Sequence, residues 1–234
     1  MRILVVNPNT TETMTALIEE YARAAVGPGV LVDAVSPSDG PAAVESHVDE
    51  VVAAPGVVEA VRVGERAGYD GFVIACFGDP GLDAAREVAT GPVVGIAEAG
   101  MRTATYLGRR FSVVTTLRRM VGPTRELVRR YGLADQCAGV HACEIPVLGL
   151  ADPASSEVLA GACLQALATD GSEVVVLGCA GMADHVPVLT QRLGVPVVDG
   201  VAAATATVAA LVRLSLRTST LGEYAVPPAR SVGV

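Results

Sequence analysis

The stretch GFVIACFG at 71–78 returns as VVVLGCAG at 174–181, with Cys76 and Cys179 in register at an offset of 103 residues. In both, a short apolar run without alternation ends on a cysteine and a glycine-containing turn, which is how a strand buried on both faces by helices reads. Fifteen residues past each cysteine the chain reaches Gly91 or Gly194 and continues as GPVVGIAEA or GVPVVDGVAA. Upstream, RILVVNPNT at 2–10 resembles RFSVVTTLR at 110–118, which sets Asn7 against Thr115 at an offset of 108. Each match alone is ordinary strand-and-helix grammar; three in one order predict a duplicated architecture.

Working outward, apolar runs predict strands over 3–6, 30–34, 71–75, 93–96, 112–115, 138–145, 174–178 and 197–199. Helical patterns fill the gaps over 11–25, 55–67, 81–88, 97–107, 122–131, 155–169 and 187–193, with the longest from about 201 to 216. The segment after Thr218, with Pro227 and Pro228, reads as a loosely held tail. The expected fold is α/β: two similar lobes, each a parallel four-stranded sheet flanked by helices, related by a pseudo-twofold axis. Residues 1–97 with about 201–234 would form the first lobe and 98–200 the second. Parallel sheets bind ligands beyond the carboxyl ends of their strands, so both cysteines would face a cleft between the lobes.

Composition narrows the function classes. Of 234 residues 51% are apolar and 18% charged, enough for a sizeable core and against disorder. The net charge of −8, without a block of basic residues, argues against a nucleic-acid partner. No apolar run reaches bilayer-spanning length, so no membrane association is expected. MRILVVNPNT is too short for a signal-peptide core and reads as a first strand, so a cytoplasmic location is expected, with all five cysteines reduced. His47, His141 and His185 have no zinc spacing, and no CxxC, GxGxxG, GxxxxGK[ST] or GxSxG occurs. Neither a metal nor a cofactor is expected; the partner would be a small-molecule substrate.

A cysteine at a strand end, entering a helix, sees unpaired N–H donors and the positive end of the helix dipole, which favour thiolate. The same amides can hold a carbonyl oxygen or a developing enolate. A thiol and a thiolate on opposite faces of one carbon would remove a proton and return another from the far side, inverting the centre. Buried cysteines are ordinarily core residues, but matched placement singles out Cys76 and Cys179, whereas Cys137, Cys143 and Cys163 read as packing. Asn7, Thr115 and Thr116 end the equivalent first strands and are candidates to bind substrate oxygens. Thr10 or Thr11 reads as a helix N-cap. His185, six residues after Cys179, could tune it, although a core or surface role is favoured.

The motifs NPNT at 7–10, GPAAVES at 40–46, ACFGDPGL at 75–82, SVVTT at 112–116 and LGCAGM at 177–182 resemble the aspartate/glutamate/hydantoin racemase superfamily, and within it the hydantoin and allantoin racemases. The resemblance spans about 1–215. It implies two α/β lobes with the active site between them, often in a homo-oligomer. The paired catalytic cysteines of the family map onto Cys76 and Cys179. Its oxygen-binding positions map onto Asn7, Thr115 and Thr116 and onto turn amides near Phe77, Gly78, Ala180 and Gly181. The implied activity is cofactor-independent racemisation of 5-monosubstituted hydantoins, with allantoin the natural candidate. Glutamate racemases usually carry a histidine after the second cysteine, where Ala180 stands here; arylmalonate decarboxylases keep only the second cysteine. Amino-acid racemisation, maleate isomerase-like or decarboxylase-like chemistry and a non-catalytic small-ligand sensor are the alternatives.

Overall fold

A computed structural model describes residues 1–225. The first half runs β1 (Arg2–Val6), α1 (Glu12–Ala24), β2 (Leu31–Val35), α2 (His47–Arg66), β3 (Gly71–Ile74), α3 (Leu82–Val88), β4 (Val93–Gly95) and α4 (Ile96–Leu107). The second runs β5 (Phe111–Thr115), α5 (Val121–Arg130), β6 (Cys137–Ala142), α6 (Ser155–Asp170), β7 (Val174–Gly178), α7 (Val186–Leu193), β8 (Val197–Asp199) and α8 (Gly200–Arg213). The sheets share one topology, β2-β1-β3-β4 and β6-β5-β7-β8, and every pairing is parallel. Parallel pairing requires a crossover between strands, and the crossover helices cover both faces. Central strands β3 and β7 are accordingly buried along their whole length.

The halves are not packed as two closed units. α4 leaves the first sheet and lies on β7, whereas α8 leaves the second and lies on β3 and β4. α4 and α8 also pack against each other, and a Cβ on Gly200 would stand 2.5 Å from the Ile96 carbonyl oxygen, so only glycine permits that approach. One apolar cluster runs through the junction, from Ile3, Val5 and Val73 through Val201 and Val208 to Val113, Val174 and Val176. The junction therefore has the packing of a core, which resists change in volume.

Element boundaries depart from expectation in three places. α2 begins at His47, two turns ahead of the expected 55, with Pro55 inside it. The Ser46 hydroxyl caps it by accepting the Asp49 amide at 3.2 Å, and Asp49 and Glu50 suit the positive first turn. β6 ends at Ala142 rather than 145, because the chain turns at Glu144 with φ of +58°. Part of the expected loose tail is anchored: Thr218 Oγ1 donates to the Gly91 carbonyl at 2.8 Å and the Tyr224 hydroxyl to Asp83 at 3.1 Å. Pro227 and Pro228 lie outside the described residues.

Candidate active site

β3 runs out through Ala75 into Cys76, and β7 runs directly into Cys179. Both line one narrow cleft of about 40 Å³ at the carboxyl edges of the two sheets. Asn9, Phe77, Thr115, Thr116 and Thr124 share its wall, as do Met14, Val44, Met120 and Val147. Larger hollows lie on the outside, one under α2 and one beside Tyr224, but neither contains a cysteine.

Each thiol keeps a partly open face but is otherwise enclosed. Burial pushes Cys179 up to about 12, against the opposing effect of a hydrogen bond from the Gly181 amide. Burial pushes Cys76 higher still; the Gly78 amide again opposes it, and the charges of Cys179, Asp79 and Glu50 add to the rise. Mutual repulsion means that the second proton leaves with more difficulty than the first. The matched amide bonds, two residues beyond each cysteine, give the two thiols one local design.

The expected substrate-binding residues divide. Phe77, Gly78, Thr115, Thr116 and Ala180 line the cleft. Gly181 faces Cys179 through its amide. Thr115 is locked against the neighbouring strand: its hydroxyl donates to the Gly178 carbonyl at 3.4 Å, and a Cβ on Gly178 would meet the Thr115 Cα at 2.8 Å. Asn7 is absent from the wall and fully buried. Its Nδ2 donates to Asn9 Oδ1 at 3.0 Å and Thr15 Oγ1 at 2.9 Å. Asn9 reaches the cleft in its place, because Asn7 continues the sheet by donating its amide to Val35.

The threonines after Asn9 do not cap α1 with their side chains. Asn9 Oδ1 accepts the Thr11 amide at 2.9 Å, and the Thr11 hydroxyl donates to the Ala42 carbonyl at 2.7 Å, holding the 36–46 loop at the cleft. His185 is buried with Nδ1 against the Ser156 hydroxyl at 2.8 Å, and it lies off the cleft wall. Cys163 is fully buried, Cys143 packs in the same core with its thiol on the Thr116 carbonyl, and Cys137 is the first residue of β6.

Sequence reasoning missed Asn9, Met14, Val44, Met120, Thr124 and Val147. It also missed two carboxylates: Glu45, whose Oε1 accepts the Val147 amide across the cleft at 2.5 Å, and Asp79, buried in the Cys76 turn. Burial pushes Asp79 up to about 6, opposed by its bonds from Tyr131, Ala97 and Glu98. Among the described residues no cluster of His, Cys, Asp and Glu is placed to hold a metal ion, and no helix is long and apolar enough to cross a membrane.

Twin four-stranded parallel sheets, with Cys76 and Cys179 at strand ends over a shared cleft, define an α/β protein of duplicated architecture. The family model described as Asp/Glu/Hydantoin racemase matches residues 3–208, and the chain belongs to that family. A hydantoin racemase of Pseudomonas sp. (strain NS671) is 45% identical over 229 residues, covering 97% of this chain and 92% of its own. The solved allantoin racemase of Klebsiella pneumoniae superposes with a TM-score of 0.97 at 48% identity, over 100% of this chain and 96% of the other. That of Pseudomonas fluorescens gives a TM-score of 0.96 at 40% identity, over 100% of both chains.

Proposed function

We propose that the chain is a cofactor-independent racemase of 5-monosubstituted hydantoins, allantoin included, working by two-base proton transfer between Cys76 and Cys179. The observation that carries this reading is the pair of thiols, matched in local design, on one cleft. One thiolate takes the C5 proton, the turn amides and the Thr116 hydroxyl receive the charge moving onto the ring oxygens, and the other thiol returns a proton from the opposite face. Relatives named hydantoin racemase and allantoin racemase support the activity.

The lining favours a neutral ring over an amino acid or a dicarboxylate. Among the described residues no arginine or histidine lines the cleft, and the chain has no lysine. An α-carboxylate would lack a cationic partner inside, and a buried unpaired charge is costly. The missing lysine also removes the residue on which a pyridoxal phosphate imine forms. The assignment of residues 1–97 with 201–234 and of 98–200 to two lobes is part of this proposal, supported by α8 lying on the first sheet. So is a homo-oligomer, supported by exposed Val48, Val51 and Val52 along α2, and light scattering tests it.

The activity is tested by following the optical rotation of L- and D-5-benzylhydantoin and of allantoin, together with deuterium uptake at C5 from heavy water. Rotation should decay to zero from either enantiomer. A chain that inverts none of these, and exchanges none of their C5 protons, would refute the proposal.

A further inference from the structure

Each half closes its sheet and starts a helix in the same way, β4 into α4 and β8 into α8, yet the two helix starts are capped differently. Asp199 stands ahead of α8, and its carboxylate accepts the amides of Val201 and Ala202 at 3.0 and 2.8 Å. The matching position ahead of α4 is Gly95, which has no side chain to offer. The matching amides, Ala97 and Glu98, are met instead by Asp79 at 3.1 and 3.0 Å. Asp79 belongs to the turn three residues after Cys76. Gly95 makes room for it: a Cβ there would lie 2.2 Å from the Asp79 Cγ.

Asp79 is held from other sides as well. It is 3% exposed and its backbone is left-handed, with φ of +46°. Its amide donates to the Cys76 carbonyl at 2.9 Å. The hydroxyl of Tyr131, the residue that ends α5, donates to Asp79 Oδ2 at 2.5 Å. In the second half the third residue after the cysteine is Met182, an apolar side chain in the core of its own half. The Cys76 turn is thus pinned through a carboxylate to the helix between the sheets, and among the described residues no carboxylate pins the Cys179 turn in this way.

From this asymmetry we infer that Asp79 is a positioning residue for one face of the substrate, fixing the Cys76 turn through the start of α4 and the Tyr131 hydroxyl. The inference rests on the two-cysteine reading. Proton transfer is sensitive to displacements of a fraction of an ångström. Loosening this turn therefore impairs the Cys76 face and spares Cys179, which stands on a different strand.

Proton NMR of C5–H exchange in heavy water, started separately from L- and D-5-benzylhydantoin and from L- and D-allantoin, tests this. Cys76→Ser defines the enantiomer whose exchange depends on Cys76. Asp79→Asn should slow exchange of that enantiomer about tenfold or more while the other stays within about twofold, and Tyr131→Phe should act in the same direction more weakly. In Asp79→Ala/Gly95→Asp the cap is rebuilt in the manner of Asp199; thermal stability should recover while the one-sided defect persists. Asp199→Asn, which removes an equivalent cap, should lower the melting temperature without selecting the Cys76 face. Equal slowing of both enantiomers by Asp79→Asn and Tyr131→Phe, or full rescue of exchange by Gly95→Asp, would overturn the inference and leave Asp79 a helix cap. Wild-type protein inert on every substrate would overturn the underlying reading, a result separable from symmetric loss in the variants.

Discussion

Glu45 and Val147 stand 102 positions apart in the chain and meet across the cleft, the Val147 amide donating to Glu45 Oε1 at 2.5 Å. Val44 and Val147 line the cleft on either side of that bond. It therefore clasps the loop after β2 to the second half beside the cleft. A hydrogen bond to an ionised group contributes about 1.5–3 kcal/mol. Glu45→Ala is expected to raise KM by about tenfold with a smaller change in kcat, since the clasp shapes the cleft wall and touches neither thiol. Initial-rate polarimetry at several substrate concentrations checks the split.

Replacing either candidate base should all but remove inversion. Cys76→Ser and Cys179→Ser should each lower racemisation by about a thousandfold or more, because a hydroxyl is a far poorer proton acceptor at neutral pH. Each should keep C5 exchange from a single enantiomer, and the retained enantiomer should differ between the two. Racemisation retained by either variant would exclude the two-cysteine mechanism.

The pH profile follows from the thiols. Burial raises both, Cys179 to about 12 and Cys76 further, which favours the thiol over the thiolate at each. The reactive form carries one thiolate, and its fraction grows about tenfold per pH unit below the lower of the two pKa values. Between pH 6 and 8 the logarithm of kcat/KM should rise with a slope approaching +1. A flat or falling profile there, with the fold intact by circular dichroism, contradicts the assignment.

Two glycines should respond oppositely to alanine. Gly161 lies inside α6 with nothing within 4 Å of an added Cβ, so Gly161→Ala should add about 0.5–1 kcal/mol of stability and leave kinetics unchanged. At Gly178 the added carbon meets the Thr115 Cα at 2.8 Å, and that contact forces β5 and β7 apart beside Cys179. Gly178→Ala should cost about 1–3 kcal/mol, and activity should fall with it. Chemical denaturation with parallel rate measurements distinguishes the two.

Much of this design is written locally. The strand ends at Cys76 and Cys179, the two parallel four-stranded sheets and the neighbouring threonines follow from short apolar runs and their repetition, which neighbouring residues largely determine. The start of α2 was obscured because Pro55 reads as a first helical residue, whereas the real signal is Ser46 with Asp49 three residues on. In NPNT either asparagine could reach a ligand. The choice of Asn9 depends on β2, since Asn7 is drawn into the sheet by Val35. Glu45 and Asp79 could not be read at all from spacing, because their partners Val147, Ala97 and Tyr131 come from chain distant in sequence.

The exchange of closing helices has a consequence for how the protein is made. β4 is complete at Gly95, yet α8, which covers its sheet against Gly71 through Val208 and Val212, ends at Arg213. At roughly 5–20 residues per second of synthesis, the first sheet waits on the order of ten seconds for its cover. During that interval Gly71 and β4 lack the packing that Val208, Val212 and the rest of α8 supply. The first sheet is thus completed only by chain made after the whole second half, so both halves reach their final packing together and late.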